Sequence, residues 1–280
     1  MKRWKLVLLL VLVLALLPFA YAYLFERPST ERDWSLDQRI APRATIAGDK
    51  VTVENLRNFS YRSTHDYVPR YETRSYDLAK LDSAWFVVER FGDTPGIAHT
   101  LLSFGFGDEY VAISVEIRKE RGETYSPLKG LLRQYELMYV VADERDVIGL
   151  RTNFRRDAVF MYPVRTTPDK LRKVFVEMLQ RANKLAVEPE FYNTLTNNCT
   201  SNIVRHVNTV APDRIPFSYK TMLPAYSDEL AYDLGLIPTE LPFYTTRAAH
   251  RIDGLAQQRP VGADFSRLIR RQTVPGKPSG

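Results

Sequence analysis

The chain has 280 residues, of which 45% are hydrophobic and 26% are charged. This length and composition exclude a disordered protein, and sixteen Tyr and fourteen Phe argue against an all-helical fold. The formal net charge is +6, but the basic excess lies mainly at the two ends, which indicates a membrane-surface bias and excludes a nucleic-acid-binding protein.

The first element is a run of twenty uncharged, mostly apolar residues, 6–25. At about 1.5 Å per residue it would span a hydrocarbon core of about 30 Å. Three basic residues precede it: Lys2, Arg3 and Lys5. By the positive-inside rule the rest of the chain is exported, which predicts a single-pass protein of the cytoplasmic (inner) membrane whose C-terminal domain faces the periplasm or exterior. A cleaved signal peptide, ending at the Ala-Tyr-Ala of residues 20–22, stays open as the alternative.

Composition divides the chain into four parts. Residues 1–25 are the membrane anchor, 26–50 a polar tether, 51–250 the folded exported domain, and 251–280 a basic, disordered tail in which Gly, Pro and Arg replace any periodic pattern.

The first half of the domain has the pattern of β-strands, and the second half that of helices. Alternation is clearest in 110–118, where Val111, Ile113, Val115 and Ile117 fall on one face. The predicted extended segments are 51–55, 58–61, 85–91, 99–106, 110–118, 136–142, 147–151 and 159–164. Helices are predicted over 168–186 and 199–210, with a third, interrupted by Pro224, over 220–234. The predicted fold class is α+β, a mixed or antiparallel sheet with packed helices, preceded by one transmembrane helix.

The single cysteine, Cys199, cannot form an internal disulfide in an exported chain. The Asn-rich turn at Asn197 and Asn198 delivers it into the first turn of a helix, where unsatisfied N–H groups and the helix dipole favour a thiolate. We therefore predict a nucleophile, with the oxyanion held by the Cys199 backbone N–H and the Asn197–Asn198 turn. The alternative is a small buried residue that only packs.

Of the four histidines, His99 is the best candidate for the base. His206 lies seven residues along the Cys199 helix, or about 10.5 Å of rise, and cannot reach the sulfur. His65 and His250 lie in polar surroundings that predict exposure to solvent. His99 instead begins an apolar strand, where a histidine needs a polar partner.

That partner follows from the register of a hairpin. If Gly107 and Asp108 form a two-residue turn, His99 lies opposite Glu116, and directly paired residues share a face of the sheet. Glu116 would then orient the imidazole. A register slip of one residue would separate them, in which case Glu136 and Glu144 remain candidates.

The segments around these residues resemble a known protein family. His99–Phe106, the segment 114–120 and Asn198-Cys199-Thr200 resemble the periplasmic N-terminal domain of the lipoprotein N-acyltransferase Lnb family. More broadly the order of His before Cys is similar to permuted NlpC-type, papain-like thiol enzymes. The resemblance implies Cys199 as acyl acceptor, His99 as base and Glu116 as the third member of the site.

The predicted function is a membrane-anchored, exported thiol acyltransferase or hydrolase that acts on an ester or amide through a Cys199 acyl-enzyme. Its expected partner is a membrane phospholipid or lipoprotein. Nucleophile-elbow, Walker, HExxH and CxxC motifs are absent, so no metal or cofactor is predicted. A cell-wall peptide amidase or peptidase with the same thiol site, and a non-catalytic, membrane-anchored binding domain, remain the alternatives.

Overall fold

The computed structural model of the chain describes residues 3–92 and 96–271. Among these residues, one helix is long and apolar enough to cross a membrane: α1, Arg3–Phe25, which is 6% buried over its most apolar window. It coincides with the predicted anchor of residues 1–25, of which residues 1 and 2 lie outside the described part.

The domain is built on a mixed sheet. The described strands are β1 (Arg43–Ala47), β2 (Lys50–Arg57), β3 (Ser60–Tyr61), β4 (Tyr67–Val68), β5 (Tyr71–Asp77), β6 (Ser83–Arg90), β7 (Ala98–Phe106), β8 (Glu109–Arg118), β9 (Glu136–Ala142) and β10 (Ala158–Pro163). Seven of them follow the order β1-β2-β9-β8-β7-β6-β10, β5 pairs with β2, and β3 and β4 form a separate pair. All of these pairings are antiparallel except the short one between β2 and β9.

Helices cover both faces of the sheet. The remaining described helices are α2 (Pro127–Leu131), α3 (Glu144–Gly149), α4 (Pro168–Leu185), α5 (Cys199–Val210), α6 (Tyr219–Met222), α7 (Ser227–Asp233), α8 (Phe243–Ala249), α9 (Asp253–Ala256) and α10 (Phe265–Ile269). Helices α4 and α5 pack on the face that carries Val111, Ile113, Val115 and Ile117, while α3, α9 and α10 pack on the face of Ala112. The α+β class and mixed sheet are therefore confirmed.

The long helices and central strands lie close to their predicted positions. Segments 136–142 and 199–210 have the predicted bounds, and the β7–β8 hairpin has the predicted register, with Phe106 opposite Glu109 and Leu101 opposite Ser114. Gly107 adopts φ 68°, a left-handed conformation that glycine tolerates best.

Three local predictions were wrong. Residues 147–151, predicted as a strand, belong to α3 and to a π-helical segment, Leu150–Arg155. The segment 26–50, predicted as a polar tether before the domain, is partly built into the domain: Trp34 is 4% exposed, and residues 43–47 form β1. In the predicted disordered tail, residues 251–271 are folded, because Phe265 and Ile269 complete the core around α3. Residues 272–280 of that prediction lie outside the described part.

Candidate active site

Cys199 is the first residue of α5 and is 3% exposed. Asn198 caps the helix: its side-chain oxygen accepts a hydrogen bond from the Ser201 backbone N–H, and the Ser201 hydroxyl lies 2.8 Å from the Asn198 N–H. Within the described part of the chain the backbone N–H of Cys199 has no acceptor, as expected in the first turn of a helix. The sequence therefore delivers a thiol, with an unpaired donor beside it, to the positive end of a helix.

The two asparagines before Cys199 hold this turn in place. The Asn198 amide donates to the backbone carbonyls of Thr194 (2.8 Å) and Met222 (3.1 Å), which uses both of its hydrogens. The Asn197 amide donates to the Phe191 carbonyl and accepts from Asn202. Both amide hydrogens of Asn198 are thus used by the fold, whereas one amide hydrogen of Asn197 has no acceptor among residues 3–92 and 96–271. The predicted oxyanion role of this turn stays a prediction, and of the two side chains only Asn197 has a hydrogen left for it.

His99 lies at the beginning of β7, past the last paired residues of the β7–β8 ladder. On one side it faces the Cys199 thiol closely enough that each side chain shifts the pKa of the other. On the other side its Nε2 lies 2.7 Å from Ser114 Oγ and 3.2 Å from Glu116 Oε1. The Ser114 hydroxyl donates to Glu116 Oε1 across 2.6 Å, so Ser114 Oγ must accept from His99 Nε2–H. Nδ1 is then the ring nitrogen available to the thiol.

This arrangement favours an ion pair. Burial alone would lower the pKa of His99, but the Glu116 carboxylate and the hydrogen bonds to Cys199 and Glu116 outweigh it and raise that pKa to about 9. Burial would likewise raise the pKa of Cys199, but hydrogen bonds from His99 and from the backbone and side chain of Thr100 lower it overall. The Thr100 amide can face the sulfur because the β7–β8 ladder stops at Leu101. Thiolate and imidazolium therefore stabilise one another.

Behind Glu116 lies a buried charge network that the sequence analysis missed. Arg151, in the π-helical segment, donates to Glu116 Oε1 at 2.8 Å and to Glu89 Oε2 at 2.6 Å, and its side chain is 3% exposed. Glu89 pairs with His99 across β6 and β7 and also contacts Arg155. Burial opposes ionisation of both carboxyls, yet His99 and Arg151 hold the pKa of Glu116 well below its usual value, and Arg151 and Arg155 lower that of Glu89.

The other acidic and histidine candidates make contacts outside the proposed site. Glu136 is paired with Arg32 at 2.8 Å, and Glu144 with Arg270. His206 is buried against Tyr139, with Nε2 2.7 Å from the phenol oxygen. His65 is exposed as predicted, but the prediction for His250 was wrong: it is 1% exposed, and its Nδ1 contacts the Thr246 carbonyl. No group of three or more metal-binding side chains occurs within residues 3–92 and 96–271.

Two tyrosines lie near the thiol. Burial raises the pKa of both Tyr125 and Tyr192, and the charge of Cys199 adds to the effect. Tyr192 is 7% exposed and Tyr125 is 38% exposed, so Tyr125 is the one that reaches the surface.

A family model described as the Lnb N-terminal periplasmic domain matches residues 67–225, more than half of the chain. The chain belongs to this family. The matched Lnb N-terminal domain contains His99, Glu116, Arg151 and Cys199, and its description agrees with the predicted exported location. Neither the curated proteins nor the solved structures include a match to this chain. Outside the matched Lnb segment, β1 and β2 complete the sheet, and α9 and α10 complete the helical layer on the face of Ala112.

Proposed function

We propose that the chain is a membrane-anchored, exported thiol acyltransferase or hydrolase that forms an acyl-enzyme on Cys199. The observation that carries this proposal is the Cys199–His99–Glu116 arrangement at the N-terminus of α5, in which one histidine faces the thiol on one side and contacts Ser114 and Glu116 on the other. Membership of the Lnb N-terminal domain family supports a lipoprotein acyltransferase context. The order of His99 before Cys199 is also that of a permuted papain-like enzyme.

The proposed reaction has two halves. The Cys199 thiolate attacks the carbonyl carbon of an ester or amide, and an S–C bond forms as the C–O or C–N bond breaks. The imidazolium of His99 gives its Nδ1 proton to the leaving alcohol or amine. Water or an amine then attacks the thioester, neutral His99 takes the proton of that nucleophile, and the thiolate leaves. Water gives a hydrolase and an amine gives a transferase.

Three features would lower the barrier. The unpaired Cys199 N–H and the remaining Asn197 amide hydrogen can donate to the oxyanion. The Thr100 amide and hydroxyl stabilise the thiolate before attack and after its release. Glu116, through Ser114, favours the imidazolium that must donate the proton.

A lipid acyl donor fits better than a peptide because the domain is attached to α1, which is long and apolar enough to span a bilayer. This preference can be tested with the full chain in vesicles containing a phospholipid whose acyl chain is labelled. We expect label on the protein that is released by neutral hydroxylamine, as a thioester is, and that is lost in Cys199→Ser and His99→Ala. His65→Ala, at an exposed histidine, is the matched control.

The competing substrate is a cell-wall peptide. Release of an amine from a muropeptide by the same chain, without transfer of label from phospholipid, would replace the lipid proposal by the amidase one. No reaction with either substrate, together with slow alkylation of Cys199, would leave a binding domain.

A further inference from the structure

An exposed apolar rim lies near the proposed active site. The rim consists of Tyr125, Leu128 and Leu195, which are 38%, 57% and 39% exposed. Leu128 lies in α2, and Leu195 lies in the turn that leads into Cys199. The two segments are joined where Thr194 Oγ1 donates to the Pro127 carbonyl across 2.7 Å.

The same two segments contact the end of the anchor. The guanidinium of Arg133 lies 3.7 Å from the centroid of the Tyr23 ring, a cation–π geometry, and the Asn193 amide reaches the Tyr23 hydroxyl at 3.5 Å. Asn193 also fixes the rim turn, since its carboxamide oxygen accepts from the backbone N–H groups of Leu195 and Thr196. Thus one residue ties the turn before Cys199 to the helix that enters the membrane.

The depth of this contact can be estimated along α1. If residues 6–25 span about 30 Å at about 1.5 Å per residue, Tyr23 lies about 3 Å and Pro18 about 10 Å inside the outer edge of the hydrocarbon. Leu132 and Gln134, which follow α2, line one cleft with Leu17 and Pro18. The α2 segment therefore lies at the level of the outer leaflet and not above it.

We propose that the rim of Tyr125, Leu128 and Leu195 inserts into the outer leaflet of the phospholipid bilayer. The bilayer is the occupant because the rim continues the surface of α1, whose aromatic end (Tyr21, Tyr23 and Phe25) has the composition of a membrane–water interface. Exposed leucines next to an anchored helix gain free energy by leaving water. Because Leu195 precedes Cys199 by four residues, the proposed active site then lies next to the leaflet that holds the acyl esters.

The test uses the single native cysteine. In a Cys199→Ser background, Leu128→Cys and Leu195→Cys each carry one nitroxide label, and the full chain is reconstituted in phospholipid vesicles. Phe25→Cys marks the outer end of α1. Tyr244→Cys is the matched exposed control, because Tyr244 is 76% exposed and lies in α8, whose end leads to the bridge with β10 at the far edge of the sheet.

For each label the measured quantity is the ratio of its collision rate with dissolved oxygen to its collision rate with a water-soluble nickel chelate. We expect this ratio at positions 128 and 195 to be at least twice the ratio at 244 and to be close to the ratio at 25. Collision ratios at both rim positions equal to that at 244 would overturn the proposal. Circular dichroism of each labelled variant establishes that it is folded. Because the background lacks the thiol, the result is independent of whether Cys199 is catalytic, and failure of the enzymatic proposal would leave it intact.

Discussion

Arg151 donates from Nη2 to Glu116 Oε1 across 2.8 Å. The same oxygen accepts from Ser114 and lies 3.2 Å from His99, so a single carboxylate atom joins the candidate site to the buried charges behind it. Glu116 therefore faces two cations when His99 is protonated. It can stabilise the imidazolium while remaining fixed by Arg151.

Replacement of Arg151 should lower the stability of the protein. In Arg151→Ala the buried Glu89 and the Glu116 carboxylate lose their common partner, which should cost about 3–5 kcal/mol in the free energy of unfolding. Urea denaturation followed by circular dichroism measures this change. Arg155→Ala, which removes a half-buried and longer contact to Glu89, is the control and should cost less. Equal effects of the two changes would contradict a central role for Arg151.

Glu116→Gln should slow catalysis and leave the fold intact. Loss of the negative charge removes the largest interaction that favours protonated His99, so the pKa of His99 should fall and turnover should drop roughly 10- to 1,000-fold, by analogy with the third member of a triad. Labelled acyl transfer gives the rate. Glu109→Gln, at an exposed position of the same strand, should retain full activity. If both variants are equally active, Glu116 does not orient the base.

The pH dependence of alkylation and of turnover should differ. Because His99 and Thr100 lower the pKa of Cys199, iodoacetamide should modify the thiol with a midpoint below the ordinary value of about 8.5. Turnover should decline as pH rises through about 9, since neutral His99 can no longer protonate the leaving group, whereas alkylation should persist. His99→Ala should raise the alkylation midpoint. An unshifted midpoint in both proteins would make Cys199 an ordinary packing residue.

His206→Ala should reduce stability but not reactivity. Burial lowers the pKa of His206 to about 4, so the ring is neutral, and its Nε2 forms a 2.7 Å hydrogen bond with the Tyr139 hydroxyl. Its removal leaves a buried phenol short of a partner, at a cost of about 1–3 kcal/mol in the free energy of unfolding. The alkylation rate of folded protein should remain within twofold of wild type, and a large loss would assign His206 to the site.

The sequence predicted those parts of the site that depend on local geometry. A two-residue turn at Gly107 sets the hairpin register, and an Asn cap sets the start of the Cys199 helix, so both follow from neighbouring residues. Arg151 could not be placed in this way. Apolar residues around it suggested a strand, while a π-helical turn and two carboxylates distant in the chain position it in the fold. A basic residue at the end of the apolar run 147–150 was the available signal.

The segments 26–50 and 251–271 were mispredicted for a related reason. The composition of residues 251–271 is that of a loose tail, yet Arg270 lies with its guanidinium carbon 3.4 Å from the centroid of Tyr110 and is paired with Glu144. Trp34 similarly holds the supposed tether, with Arg118 4.3 Å from its ring. Single long-range contacts of this kind hold a segment of polar composition in the fold. The periodicity of a short stretch of sequence does not reveal them.

The position of α10 affects how the domain can be made. Phe265 and Ile269 cover the sheet face of Ala112 and Leu101, and these core residues lie far apart in the chain. As an exported chain crosses the membrane from its N-terminus, α3 and α9 emerge before α10, and the part of this face under α10 stays exposed to water until residue 269 has emerged. Until then the central strands are incompletely covered on this side, and export chaperones that shield apolar strands should bind this intermediate rather than the finished domain.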